Sequence, residues 1–302
     1  MKKIIITILL FGSTLCDLNA IELENKSAFP INLQIFYRRN SSSMNTFEEE
    51  LYTKTFTGYV ERNKREPISS FDIGIRKKIN DTNIFIEAEF SELKKGAYPI
   101  GRFFCSREGS FCNETSTPAG TYYRSQTRAA LLYEIIPNSL RLSGGIRYLY
   151  SELADGFRFQ YSLKFGQKYL GPEIGIEAES PKFWNFNLKF NYYYFILGGH
   201  IQYHYATSSN NAEYGFLSFL SEPVTRYYGQ QLGLKLNYFI TDNYYFSLGF
   251  YSIIAKIRTN SINIYSEDVP YDNFINTKFR TLYGNSFGER INNIYFEAGI
   301  FI

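Results

Sequence analysis

Residues 184–192 read Trp184-Asn185-Phe186-Asn187-Leu188-Lys189-Phe190-Asn191-Tyr192, an alternation of large apolar and polar side chains. Period two is the signature of an extended strand, because successive side chains point to opposite faces. The same pattern recurs along the chain. Leu232, Leu234, Leu236 and Tyr238 alternate with Gly233, Lys235 and Asn237, and Phe71, Ile73 and Ile75 with Asp72, Gly74 and Arg76. Ile84, Ile86, Ala88 and Phe90 alternate with Phe85, Glu87 and Glu89, and Ile294, Phe296, Ala298, Ile300 and Ile302 with Tyr295, Glu297, Gly299 and Phe301. Phe29, Ile31, Leu33, Ile35 and Tyr37 face away from Asn32, Gln34, Phe36 and Arg38. A soluble sandwich also alternates, but its polar face looks at bulk water. Here the apolar face is continuous and tipped with aromatics in nearly every segment, as a face in contact with lipid would be.

The spacing of turn signals orders these segments. Turn-forming residues occur at Asn80-Asp81, Pro137-Asn138, Ser180-Pro181 and Thr241-Asp242. Between them lie long polar stretches near 39–67, 92–122, 152–168, 207–223 and 258–290. Short links alternating with long ones predict an all-β fold, an antiparallel up-and-down transmembrane barrel with short periplasmic turns and long extracellular loops. Ten strands are expected, over about 28–38, 69–78, 83–91, 123–136, 139–151, 169–179, 183–200, 223–240, 243–257 and 291–302. Residues 51–60 and 157–165 also alternate and read as strand extensions or loop hairpins; with a partner each they would make twelve strands.

The N-terminus is read separately. Lys2 and Lys3 precede an apolar run from Ile4 to Leu15, followed by small and polar residues up to Ala20. That order is the order of a secretory signal, and the run is short of the roughly 20 residues a spanning helix needs. Residues 1–20 are therefore expected to be a cleaved signal peptide and 21–302 the barrel, placed in the cell outer membrane. A lipoprotein cut before Cys16 would set bulky Leu15 where a small residue is wanted.

Composition agrees. The chain has 27 Tyr and 28 Phe against one Trp and two Met, and mean hydropathy is negative, which excludes a helical membrane protein. Aromatic girdles at both lipid–water boundaries give such residues a place. A formal charge of +3 makes no case for nucleic acid as a partner. The expected partners are outer-membrane lipid or lipopolysaccharide, and a surface or host ligand held by the loops.

The last strand, with Phe301 penultimate and Ile302 final, resembles the closing strand of Gram-negative outer-membrane proteins, which ends in an aromatic residue. The resemblance implies recognition by the barrel-insertion machinery; Ile302 in the last place departs from its pattern. The richness in Ile, Asn, Tyr and Phe also resembles porin-type proteins of spirochaetes such as leptospires.

Alternation assigns a lumen-lining set: Arg38, Asp72, Arg76, Glu87, Glu89, Arg128, Glu134, Arg141, Arg147, Glu177, Lys189, Lys235 and Glu297, with Glu179, and with Arg158 and Lys164 if 157–165 extends a strand. The signs nearly balance. In a ten-strand barrel, narrower than the 16–18 strands of water-filled porins, such charges tend to close into ion-pair networks. Across the Pro137-Asn138 turn, an antiparallel register sets Glu134 opposite Arg141.

His200 and His204, with Gln202 between, are expected to share one strand face toward the lumen near the outer mouth. At about 3.3 Å per residue they stand too far apart to share one metal ion, so no metal, cofactor or catalytic residue is expected. No Asp-His dipeptide or serine partner can be placed against either histidine. Cys105 and Cys112 bracket a short loop segment and are expected to form a disulfide, as paired cysteines of exported proteins do. The leading functional expectation is a non-enzymatic, narrow porin-like channel for small solutes or ions. The alternative is a surface-exposed adhesin or ligand-binding barrel acting through its loops, and the third an outer-membrane hydrolase.

Overall fold

The computed structural model describes residues 33–48, 59–60, 67–80, 82–98, 100–105, 112–116, 120–156, 161–207, 217–221, 224–259, 264–266 and 286–302. The segment read as a signal peptide lies outside them, as does Arg158.

Ten long strands make the wall: β1 (Leu33–Asn45), β2 (Ile68–Lys78), β3 (Ile84–Tyr98), β4 (Gly120–Ile136), β5 (Leu140–Gly156), β6 (Tyr161–Glu179), β7 (Phe186–Thr207), β8 (Val224–Phe239), β9 (Tyr244–Thr259) and β10 (Ser286–Phe301). Each pairs antiparallel with the next, and β10 returns to β1, so the sheet closes into an up-and-down barrel. Closure removes the unpaired edge that hydrocarbon cannot tolerate. At the seam Arg38 faces Glu297 in register, and Leu33 and Ile302 exchange backbone hydrogen bonds of 2.8 and 3.1 Å. Shorter strands lie beyond the wall. Leu217–Ser221 pairs with the end of β7 and with Ile264–Ser266, while Tyr59–Val60, Ile100–Cys105 and Cys112–Ser116 form a separate three-stranded sheet.

Three tight turns stand where sequence placed them, but the link expected at Ser180-Pro181 turns instead at Trp184-Asn185. Phe183 and Phe186 exchange backbone hydrogen bonds of 2.8 and 2.9 Å, and Trp184, read as a strand residue, has a left-handed φ of 53°. Asn138 adopts a left-handed φ of 57°, which Asn tolerates better than most residues, and its N–H donates to Glu134 Oε1 at 2.9 Å. Two inward glycines are required by close approach. A Cβ on Gly249 would collide with the Tyr295 ring, and one on Gly229 with the Phe195 ring, so each bare backbone floors an aromatic from a neighbouring strand.

The first strand needs correction: among the described residues it spans Leu33–Asn45 and so takes in seven residues that had read as loop, while 28–32 of the expected 28–38 lie outside the described residues. The physical reason is a change of surroundings along the wall. On β10 the outward residues Ile294, Phe296, Ala298, Ile300 and Ile302 are apolar, and then Asn292 and Arg290 continue the same face. On β1, Ile35 and Tyr37 give way to Arg39, Ser41 and Ser43. Leu232 gives way to Gln230 and Arg226 on β8. The barrel thus rises out of the membrane on the side of the long connections and carries a polar outer wall there.

The inner face changes in the opposite sense at the same height. Below, it is charged. Above, Met44, Ile68, Leu93, Tyr122, Leu149, Phe165, Leu197, Ile201, Tyr227, Ile257, Phe287 and Ile291 belong to one buried apolar cluster. Where lipid surrounds the wall, apolar groups face out and the interior holds the polar ones; where water surrounds it, burial favours an apolar interior, as in a soluble barrel. At the periplasmic end Trp184, 81 % exposed, stacks on Phe183 at 5.2 Å, in the manner of an aromatic girdle.

Candidate functional site

In the membrane storey the inner face converges on carboxylates, of which Glu87, Glu173, Glu177 and Glu297 each meet two cations. Glu297 takes Arg38 Nε at 2.5 Å, Lys235 Nζ at 2.7 Å and the Tyr245 hydroxyl at 2.7 Å. Arg38 also reaches Glu89 at 2.6 Å and Asp72 at 3.7 Å. Arg76 donates through Nε to Glu87 at 2.6 Å and through Nη2 to Glu177 at 2.9 Å, where Lys189 arrives at 2.8 Å. Arg128 pairs with both Glu87 and Glu173. Arg147, only 1 % exposed, donates to Glu173 at 2.6 Å and to Gln231 at 2.9 Å beneath the Phe195 ring. Toward the periplasm Arg141 joins Glu134 at 3.1 Å and Glu179 at 3.0 Å, the first being partners across the Asn138 turn.

The charges that alternation assigned to one face, Arg38 to Glu297, thus meet inside the barrel; Arg158 and the side chain of Lys164 lie outside what the structure describes. Lys164 lies on β6 opposite Ala154 and His204. Sequence reading omitted Glu173 and Arg124, although both share parity with residues it used: Glu173 with Glu177, Arg124 with Arg128. It could not have found Glu48. Thr46, Phe47 and Glu48 are all buried, so the chain leaves β1 and turns into the barrel. Phe47 meets Phe287 edge-on at 5.1 Å. Glu48 Oε1 accepts from Gln167 at 2.6 Å and from Ser151. Arg124 pairs with Glu289 at 2.9 Å.

A cavity lined by Arg38, Arg76, Glu87, Arg128, Lys189 and Lys235 leaves about 30 Å³ for the centres of water molecules. That is space for about two waters.

The placement of His200 requires correction; the side chain of His204 lies outside what the structure describes. On β7, Tyr193, Phe195, Leu197 and Ile201 are buried, while Tyr194 and Ile196 are exposed. The pairing with β8 runs without a shift from Phe186 to His200, so His200 falls on the outward face, not in the lumen. It stands opposite Lys168 and Val224. His204 continues β7 opposite Leu220 and Lys164 in backbone register.

Cys105 and Cys112 are register partners at the tip of an antiparallel hairpin. Directly opposed residues have Cα atoms about 4.5–5.5 Å apart, within the span a disulfide bridges. We expect the peptide carrying both to resist alkylation until reduced; two alkylated thiols in the unreduced, oxidised-compartment protein would exclude the bridge.

A closed barrel with a lipid-facing belt, girdled ends and an ion-paired interior is a transmembrane β-barrel of the bacterial outer membrane. The chain is similar in structure to outer membrane protease OmpT from Escherichia coli, with 11 % identity, a TM-score of 0.52 and coverage of 89 % of this chain and 96 % of that one. It also matches the translocator domain of autotransporter NalP from Neisseria meningitidis at 8 % identity and a TM-score of 0.41, over 99 % and 97 % of the two chains. The toluene transporter TodX of Pseudomonas putida matches at 8 % identity and a TM-score of 0.36, over 89 % and 90 %. At such identities these likenesses concern the fold. No protein-family model and no curated protein sequence matches the chain.

Proposed function

We propose that this barrel is non-enzymatic and works by binding at its extracellular end, with its lumen acting as a solid support. The observation that carries this reading is the apolar cluster across the upper storey, in which Leu197, Tyr122 and Ile257 have no exposed surface. Solutes crossing the barrel would have to displace that layer as well as the ion pairs beneath it. Apolar side chains across the upper storey, with the Arg124–Glu289 ion pair buried in the same storey, oppose an aqueous path. Strands that continue above the membrane, and the separate sheet of Tyr59–Val60, Ile100–Cys105 and Cys112–Ser116, offer a built platform for a ligand. The non-enzymatic part of the reading is supported by the surroundings of His200, whose register partners Lys168 and Val224 supply neither nucleophile nor orienting carboxylate.

The second reading is the narrow channel, favoured by the polar cavity in the membrane storey. Planar-bilayer recording on the purified, refolded protein separates the two. We expect no discrete conductance steps over a wide voltage range. Reproducible steps would overturn the surface-binding reading and restore the channel.

A further inference from the structure

The outer wall above the lipid belt is electrically lopsided. On β1 to β5 its charges are mixed: Arg39 and Lys94 stand with Glu92 and Glu152. On β6 to β10 the outward positions in this band include Lys168, Arg226, Lys256, Arg258 and Arg290, and among the described residues no outward carboxylate. Arg226 and Arg258 are directly opposite each other in register, and Lys256 follows Arg258 on the same face. Arg290 sits opposite Ile254, one outward position below Lys256. The four form a slanting row, each about 5–8 Å from the next. Like charges held opposite on a strand pair are destabilising, and none of the four has an ion-pair partner among the described residues. The row has no structural use for itself; it suits a polyanion.

Its height identifies the polyanion. Below it, past a polar band of Gln230, Ser252 and Asn292, the same strands present Leu232, Phe250 and Ile294 outward, so acyl chains lie against the wall lower down, beneath the cations. We propose that Arg226, Lys256, Arg258 and Arg290 bind the phosphate groups of a phosphorylated outer-leaflet glycolipid, whose acyl chains pack on the belt under them. Guanidinium forks suit phosphate oxygens, which they grip in bidentate fashion. The site goes beyond the proposed loop function, since it lies on the lipid-facing wall and requires no ligand at the mouth.

Native mass spectrometry of the full chain in mild detergent, titrated with diphosphoryl lipid A, tests it. The wild type is expected to retain the lipid, with affinity falling as salt rises. The fourfold variant R226Q/K256Q/R258Q/R290Q is expected to lose at least about 100-fold, since each basic group near an anionic lipid surface contributes on the order of fivefold. Dephosphorylated lipid A should bind the wild type as weakly as the diphosphoryl form binds the variant, and inorganic phosphate should not compete. Heat-modifiable migration on gels checks folding of the variant. Should it fail to fold, R226Q/R258Q, which relieves a like-charge pair, is expected to fold and to lose at least about tenfold. Undiminished binding by a folded variant, equal binding of dephosphorylated lipid, or equal loss in the control variant R39Q/K94Q, whose cations lie off the row on β1 and β3, would each overturn the proposal.

Discussion

Replacing Arg147 by Met is expected to lower the unfolding free energy of the barrel by about 3–5 kcal/mol. Arg147 is almost wholly buried and donates to Glu173 and Gln231. A Met of similar length fills the space beneath Phe195 but leaves Glu173 to Arg128 alone. The cost therefore comes from a carboxylate deprived of half its compensation, not from lost volume. Replacing Arg147 and Glu173 together by Leu is expected to cost less than the single change, because no orphaned charge from that pair remains. Urea unfolding in lipid vesicles, read by the loss of heat-modifiable migration, measures both. A single-variant loss below about 1 kcal/mol would mean that water already reaches Glu173.

Truncating Phe47 to Ala is expected to cost about 3–5 kcal/mol in the same measurement. The residue sits just beyond the end of β1, where a loop position would ordinarily tolerate such a change. Here it is 1 % exposed and meets Phe287 edge-on inside the upper storey. Phe287→Ala should cost a similar amount, and the double change less than the sum, by about 0.5–1.5 kcal/mol of aromatic coupling. A near-neutral Phe47→Ala would place residues 46–48 outside the barrel and remove their part in closing it.

Both predictions concern residues that differ in how well the sequence announced them. Arg147 lies on an alternating strand within the lipid belt, where hydropathy reports which face a side chain takes. Within the belt, strands β2 to β10 were legible for that reason, with turn-side ends such as those at Asn138 and Thr241, but β3 to Tyr98, β6 from Tyr161 and β7 to Thr207 run on into stretches that had read as loop. Above the belt the signal inverts. Asn40 and Ser42 point inward while Arg39, Ser41 and Ser43 point outward, so both faces of β1 are polar there and alternation disappears although the strand continues. His200 shows the converse error. Continued by parity from Lys189, the face count puts it outside, and its polarity suggested the lumen only because a polar residue was presumed to need one. Above the membrane, outward is polar.

The sequence by itself determined the class of protein: a chain whose strands give one face to acyl chains must close, and parity within the belt names the charges that meet inside. Only the tertiary structure decided that the upper barrel is packed with apolar side chains, that Phe47 and Glu48 fold in from beyond β1, and that four cations line one wall. Those outcomes depend on which strands become neighbours, and at what stagger. A pattern with period two records the face of each residue but carries neither its height nor its neighbour across the sheet.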